Sequence, residues 1–186
     1  MRRRSLCWPV ILVVGLAGAR PPIQTAAPAV TIATAADQYA QLGTVRMRYR
    51  VVGAGVPVVL LHGYANSLEG WSGLGDSLAR DHEVIALDLR GHGQSTKFTR
   101  QSDYGRYIAD DVVHLLDHLH IRRAHLVGHS MGALVAADIV ERYPNRVASA
   151  TLLAGPFWPD SAAAAHAVER WDVELDAGRG ITALML

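Results

Sequence analysis

The chain has 186 residues, of which 50% are hydrophobic and 19% are charged, and its formal net charge is +1. This length and composition suit one globular domain with a buried core, and they argue against a disordered chain or a repeat array. The nearly balanced charge gives no electrostatic support for a nucleic-acid partner, because such surfaces need concentrated Lys and Arg.

The first 19 residues have the pattern of a secretory signal peptide. Three arginines at positions 2–4 precede an apolar stretch at 6–18, and the stretch ends in Ala17-Gly18-Ala19. The stretch is shorter than the roughly 20 residues that a membrane-spanning helix needs. We therefore expect cleavage near Ala19, export to the periplasm or the exterior, and no stable membrane span afterwards. A retained membrane anchor is the alternative.

Removal of this leader would change the charge and the cysteine content of the mature chain. Removal of the three arginines lowers the number of basic side chains from 18 to 15, and with 17 acidic side chains the net charge becomes −2. Cys7, the only cysteine, lies in the leader, so no disulfide is predicted in the mature chain. Pro, Ala and Thr are common in residues 20–37, which predicts a flexible lead-in.

From Gln38 onward, strand patterns alternate with helix patterns. Residues 45–52 alternate apolar and basic side chains, which predicts an antiparallel or edge strand. The strand is predicted to end at Gly53-Ala54-Gly55, where a hairpin leads into the next strand. Apolar runs predict buried strands at 58–61, 83–89, 124–127 and 147–153. Helical spacing predicts helices at 71–80 (apolar side Trp71, Leu74, Leu78), 107–119 (Ile108, Val112, Leu115, Leu116, Leu119) and 133–143.

This order of elements predicts an α/β fold, a mostly parallel sheet with helices on both faces. In such sheets ligands bind at the carboxyl ends of the strands. Three glycine-containing turns follow predicted strands at this edge, at Gly63, Gly91 and Gly128. The sequence therefore places the functional site there.

The most informative of these turns is Gly128-His129-Ser130-Met131-Gly132, which reads G-x-S-x-G between a predicted strand and a predicted helix. In a nucleophile elbow of this kind, the central residue takes a strained backbone conformation that aims its Oγ at the substrate. Glycines on either side remove Cβ atoms that would collide in the turn. Ser130 is thus the candidate nucleophile, and a serine in an ordinary tight turn is the alternative.

Three segments together resemble the α/β-hydrolase family, in its exported, serine-nucleophile, cap-bearing branch. They are residues 60–64 (LLHGY), 88–95 (DLRGHGQS) and 126–132 (LVGHSMG), in family order and spacing, and the resemblance covers about residues 38–156. It implies that the backbone N–H groups of Tyr64 and Met131 form an oxyanion hole, whose two fixed donors would stabilise a tetrahedral intermediate. It also implies that residues 157–186 begin a cap.

Other polar residues near these motifs are predicted to support the site. His62 and Gly63 form a supporting loop, and His129 belongs to the elbow. Asp88 and residues 90–93 are expected to build a second loop. His114 and His118, with Asp117 beside them, have the spacing of metal ligands, but they lie off the apolar stripe of their helix and favour a solvated face. No metal and no organic cofactor are predicted.

A serine nucleophile needs a general base and a third group that orients the base. In the family both follow the elbow, after later strands, whereas only His166 follows Ser130 here. The order Ser130, Asp160, His166 is formally available, although one short segment would have to bring both groups into place. We therefore expect a C-terminal truncation that removes the last strands and leaves the apolar edge of the sixth strand unpaired.

The sequence predicts an exported hydrolase that cleaves a carboxylic ester, or a related small carbonyl substrate, through an acyl-enzyme on Ser130. A serine at position 130 argues against the epoxide-hydrolase and haloalkane-dehalogenase branches of the family, which use aspartate there. C–C bond hydrolases and cofactor-free peroxidase-type relatives also have the serine, so these two activities stay open as alternatives. The competing prediction is a truncated or degenerate hydrolase without activity that binds a small apolar ligand. A nucleotide-binding Rossmann domain is disfavoured, since G-x-G-x-x-G is absent after the first parallel strand.

Overall fold

The computed structural model describes residues 30–154. The predicted signal peptide at 1–19, the first part of the lead-in and the predicted cap at 157–186 lie outside this range. The candidate triad residues Asp160 and His166 lie outside it as well.

A six-stranded sheet organises the described residues. Its strands are β1 (Gln38–Leu42), β2 (Val45–Val52), β3 (Val56–Leu61), β4 (His82–Leu87), β5 (Ala124–His129) and β6 (Val147–Leu153). They lie in the order β1-β2-β4-β3-β5-β6. The last four in this order run parallel, whereas β2 is antiparallel to both β1 and β4. The predicted mostly parallel sheet is confirmed.

Three helices, α1 (Ser72–Leu78), α2 (Tyr107–His118) and α3 (Met131–Arg142), cover the two faces of the sheet. Because side chains alternate between the faces of a strand, the apolar runs of β3 and β4 feed two separate cores. Val59, Leu61, Ile85 and Leu87 pack with α2 and α3, and Val58, Leu60, Val84 and Ala86 pack with Leu68 and Trp71. None of the described helices combines the length and the apolar character needed to cross a membrane.

The predicted hairpin from β2 into the next strand is wrong. β2 forms its hairpin with β1, and its other neighbour is β4, so β2 and β3 are not adjacent. Gly53 and Gly55 have φ angles of 76° and 126°, and a Cβ on Gly55 would lie 2.8 Å from the carbonyl oxygen of Asp81. The turn therefore lies against the start of β4 and takes the chain past that strand to β3.

The predicted apolar side of the first helix is also only partly correct. Residues Leu68–Trp71 form a 3₁₀ helix, and α1 continues from it. Trp71 is buried and Leu78 is half-buried, but Leu74 is 42% exposed. A 3₁₀ helix has three residues per turn, so the 3.6-residue spacing used for the prediction does not hold through Trp71.

The end of the predicted flexible lead-in, residues 30–37, is packed onto the domain. Ile32 is fully buried, and its N–H donates to Asp76 Oδ1 at 2.6 Å. Gly75 of α1 makes room for it, since a Cβ there would lie 2.9 Å from Ile32 Cγ1. Asp37 pairs with Arg50 of β2 at 2.6 Å. These contacts, which composition does not reveal, fix the segment against α1 and β2.

A buried ion pair fixes the loop after β4 to α2. Arg90 donates from Nε and Nη2 to the Asp111 carboxylate at 2.6 and 2.8 Å, and from Nη1 to the carbonyl of Asp103 at 2.6 Å. Both side chains are almost completely buried. The hydrogen bonds to Asp111 raise the pKa of Arg90 above its ordinary value. The loop that carries the DLRGHGQS segment is therefore held by a charge pair that has little access to water.

Replacing Asp111→Ala should lower the free energy of unfolding by about 3–5 kcal/mol, because the Arg90 charge would stay buried without its partner. Arg100→Ala is the matched control, because Arg100 pairs with Asp103 while its own side chain is 78% exposed. Exposed ion pairs contribute about 0–1 kcal/mol to the free energy of unfolding. Urea denaturation of both variants measures the difference. Equal losses in the two variants would contradict a structural role for the buried pair.

Candidate active site

The site predicted at the carboxyl edge of the sheet lies where the strand order reverses. The chain passes from β3 to β4 on one side and later to β5 on the other side of β3. Leu61 lies opposite Leu87 of β4 and Gly128 of β5, so the loops after these three strands begin at the same level. In an open α/β sheet, this reversal produces the crevice that takes a ligand.

Ser130 connects β5 directly to α3 and has φ 52° and ψ −113°. Residues other than glycine rarely adopt this region, so the strained backbone that the sequence predicts is observed. Hydrogen bonds hold it on both sides. The Ser130 N–H donates to the carbonyl of Leu153 at 2.9 Å, and the Ser130 carbonyl accepts from the N–H of Ala133 at 2.9 Å.

Neither Gly128 nor Gly132 has a positive φ, so the backbone conformation does not require glycine at these positions. Glycine is required because there is no room for a side chain. A Cβ on Gly132 would overlap the carbonyl oxygen of Leu61 and lie 2.7 Å from that of His62. A Cβ on Gly128 would overlap the Gly132 carbonyl and lie 2.7 Å from the nitrogen of Ala133. The first turn of α3 thus meets the end of β3 backbone to backbone at Gly132, and the end of β5 meets the first turn of α3 at Gly128. The predicted reason for both glycines, the collision of Cβ atoms, is confirmed.

The segment after β3 lies beside the Ser130 turn. A Cβ on Gly63 would lie 3.0 Å from His129 Nδ1 and 3.4 Å from Ser130 Cβ. Tyr64 comes next, and burial raises the pKa of its phenol. Met131 is the first residue of α3, where a backbone N–H has no acceptor within the helix. The two predicted oxyanion donors therefore belong to segments that adjoin at Ser130.

His62 is buried and both of its ring nitrogens are engaged. The N–H of Leu89 donates to Nε2 at 3.0 Å, so the proton must be on Nδ1, which donates to the carbonyl of Gly63 at 2.7 Å. Burial lowers the pKa of His62, which favours this neutral form. The arrangement is that of a loop support, the role predicted for His62, and it leaves no nitrogen for a general base.

Asp88 is completely buried at the end of β4 and organises two loops. Its carboxylate accepts from the N–H of Leu68 at 2.8 Å, the N–H of Gln94 at 2.8 Å and Arg48 Nη1 at 3.2 Å. A Cβ on Gly93 would overlap this carboxylate. The predicted structural role for Asp88 and its neighbouring glycines fits these contacts.

The other candidate histidines are exposed. These are His129, His114 and His118, and Asp117 pairs with Arg146 at 2.8 Å. Within residues 30–154, no group of three or more His, Cys, Asp or Glu side chains is arranged to hold a metal ion. The solvated helix face predicted for the histidine pair is observed.

His92, in the loop after β4, packs against the site, which the sequence does not predict. Its ring centroid lies 5.1 Å from that of His62 and 5.6 Å from that of Tyr64. Glycine spacing identified its loop, but contacts between two separate loops leave no periodic signal in a sequence. His92 thus joins the site through tertiary packing.

Gly132→Ala should lower the free energy of unfolding by about 3 kcal/mol, the upper end of the range for overpacking, because a Cβ would meet backbone atoms of Leu61 and His62. Gly73→Ala in α1 is the control. Nothing lies within 4 Å of a Cβ there, so the variant should gain roughly 0.5–1 kcal/mol from helix propensity. Thermal and urea unfolding compare them, and a tolerated Gly132→Ala would refute the close packing.

The free energy of unfolding should fall as the pH drops below about 6.5, the ordinary pKa of histidine. Burial lowers the pKa of folded His62, so between its folded and unfolded pKa values the unfolded chain binds more protons. His62→Gln keeps one acceptor and one donor but cannot ionise, and it should lose less stability than the wild type between pH 7.5 and 5. His114→Gln, on the exposed face of α2, is the control. Identical losses in the wild type and His62→Gln would contradict this.

Comparison with known proteins gives one family. The model of the alpha/beta hydrolase fold matches residues 56–178. Over 121 residues the chain is 42% identical to the dihydrolipoyllysine-residue acetyltransferase component of an acetoin cleaving system from Pseudomonas putida, covering 64% of this chain and 32% of that protein. It is 39% identical over 110 residues to a soluble epoxide hydrolase from a Corynebacterium species, covering 55% and 38%.

Among solved structures, an N-acyl homoserine lactone degrading enzyme superposes with a TM-score of 0.59 and 32% identity, over 68% of this chain and 51% of that one. The chain spans about a third of the length of the two curated relatives. The matched segment contains β3 to β6 and all three loops of the site. By sequence, strand order and the matched family model, the chain belongs to the alpha/beta hydrolase fold family.

Proposed function

We propose that this chain is the nucleophile-bearing part of an exported serine hydrolase that cleaves a carboxylic ester through an acyl-enzyme on Ser130. The observation that carries the proposal is the position of Ser130, in a strained turn between β5 and α3 with Gly63 against it. Strain of this kind persists only where the surroundings enforce it, and it is common at reacting residues. The signal-peptide pattern of residues 1–19 supports export.

In the proposed reaction, Ser130 Oγ attacks the ester carbonyl carbon while its proton passes to a general base. The carbonyl oxygen becomes an oxyanion, which the N–H groups of Met131 and Tyr64 would stabilise. The intermediate expels the alcohol, which takes the proton from the base, and leaves an acyl group on Ser130. Water then attacks the acyl carbon in the same way, releasing the acid and restoring the serine.

The base and its orienting acid are proposed to come from outside residues 30–154. His62 has both nitrogens committed to hydrogen bonds, and His114 and His118 are exposed on α2. His166 and Asp160 belong to the part of the chain that is not described. The described residues thus contribute the nucleophile and the oxyanion donors.

The nature of the nucleophile bears on the substrate class. A serine at the turn supports acyl transfer, and one of the similar structures is named for degrading an N-acyl homoserine lactone, a molecule that contains a cyclic ester and an amide. The epoxide hydrolase relative represents a different chemistry within the same family. An ester or lactone of a small molecule is therefore the substrate class that we favour, and no cofactor is needed for the steps above.

A second candidate is a degenerate hydrolase that binds a small apolar ligand without turnover. It is favoured by one observation: His62, the buried histidine beside the turn, has both ring nitrogens committed to hydrogen bonds and cannot activate Ser130. The two candidates differ in the reactivity of Ser130, which a serine-directed reagent measures directly.

A fluorophosphonate probe should label the wild-type chain, and Ser130→Ala should abolish the labelling, because only an activated serine attacks phosphorus at a useful rate. Ser77→Ala, an exposed serine on α1, should label like the wild type. Circular dichroism of each variant establishes that it is folded. Folded wild-type protein that stays unlabelled would contradict an active Ser130 in this chain.

A further inference from the structure

We propose that His92 is a positioning residue that holds the oxyanion loop, residues 62–68, in the geometry required for catalysis. The proposal rests on the proposed function, since it names the group that fixes one of the two oxyanion donors. It arises from contacts between the loop after β4 and the loop after β3. The sequence motifs assign no such role to His92.

The His92 ring contacts both neighbours of Gly63. It packs edge-on against His62, with ring centroids 5.1 Å apart and an interplanar angle of 62°. It packs in the same manner against Tyr64, at 5.6 Å and 79°. Edge-to-face contacts at these separations are favourable and directional. One ring therefore touches the oxyanion loop on each side of the glycine that adjoins Ser130.

His92 is itself held firmly. A carbonyl oxygen can only accept, so Nδ1 carries a proton and donates to the carbonyl of Arg90 at 3.0 Å. The His92 N–H donates to the carbonyl of Leu89 at 2.9 Å, and its carbonyl accepts from the N–H of Ser95 at 3.0 Å. The neighbouring Arg90 side chain is fixed to Asp111 of α2. The ring thus connects the oxyanion loop to a helix of the core.

Between its two ends the oxyanion loop forms a turn, in which the N–H of Asn66 donates to the carbonyl of Gly63 at 3.3 Å. One end is fixed where the N–H of Leu89 donates to His62, and the other where the N–H of Leu68 donates to Asp88. Between them, Ala65 has a φ of 55°, a conformation that needs support from its surroundings. Tyr64, the predicted donor, lies in this strained middle part. The ring of His92, in the loop after β4, packs against Tyr64.

A displaced oxyanion donor affects the transition state more than the bound substrate. Complete loss of such a donor reduces kcat by about 100- to 1000-fold, so a loosened donor should reduce it by about 10- to 100-fold. KM should stay close to the wild-type value, because the donor acts where charge develops. Unfolded protein would also lower the apparent kcat without changing KM, so kcat is expressed per folded molecule, with the folded fraction measured by circular dichroism.

The test compares His92→Ala with His92→Phe in the full chain, with p-nitrophenyl acetate as the probe. Phenylalanine retains a ring in contact with His62 and Tyr64, so it should restore kcat to within about threefold of wild type, whereas alanine should not. His118→Ala is the matched control, because that histidine makes an edge contact with Tyr49 at 6.5 Å on the solvated face of α2.

Amide hydrogen exchange provides the second measurement. His92→Ala should accelerate exchange at residues 63–67 while β3, β5 and α3 keep wild-type protection. Wild-type exchange at 63–67 in His92→Ala would overturn the positioning role, whether or not the wild type hydrolyses the ester. Equal losses of kcat in the alanine and phenylalanine variants would also overturn it. A wild type that is folded but does not hydrolyse the ester would contradict the proposed function alone.

Discussion

The structure depends on the backbone contact between the end of β3 and the first turn of α3. No side chain fits at Gly132, where a Cβ would overlap the Leu61 carbonyl, or at Gly128. This contact sets Ser130 at the point where β5 turns into α3 and fixes its unusual φ. It also brings the residues after Leu61 alongside the serine. The same contact therefore adjoins the central β3–β5 pair and brings together the segments of the candidate site.

Buried polar groups then fix the loops around that contact. The adjacent residues Asp88 and Leu89 hold the two ends of the oxyanion loop, one as acceptor and one as donor. Burying a carboxylate is unfavourable unless its oxygens are satisfied, and the Asp88 carboxylate has Arg48 and two backbone N–H groups as partners. The loop beyond Asp88 is fixed again by Arg90. Preorganisation here results from hydrogen bonds made within the protein, before any substrate binds.

Local features of the fold and site could be predicted from the sequence, and long-range ones could not. The strain at Ser130 and the role of its glycines follow from five consecutive residues, and the apolar runs of β3 and β4 predict a sheet buried on both faces. The pairing of β2 with β4 was missed, because an alternating pattern does not identify its partner. The burial of Ile32 depends on Gly75, 43 residues later in the chain. His92 reaches the site across two loops, so no spacing rule reveals its contacts.

The central claim is that Ser130 carries the acyl group during ester cleavage. It is tested most directly by rapid acid quench of the full chain with p-nitrophenyl acetate, followed by peptide mass mapping. The account predicts one acetyl group, on the peptide that contains Ser130, which forms with the release of p-nitrophenol and disappears as substrate is exhausted. Turnover of the ester with no acetyl group on Ser130, or with the acetyl group on another residue, would contradict it.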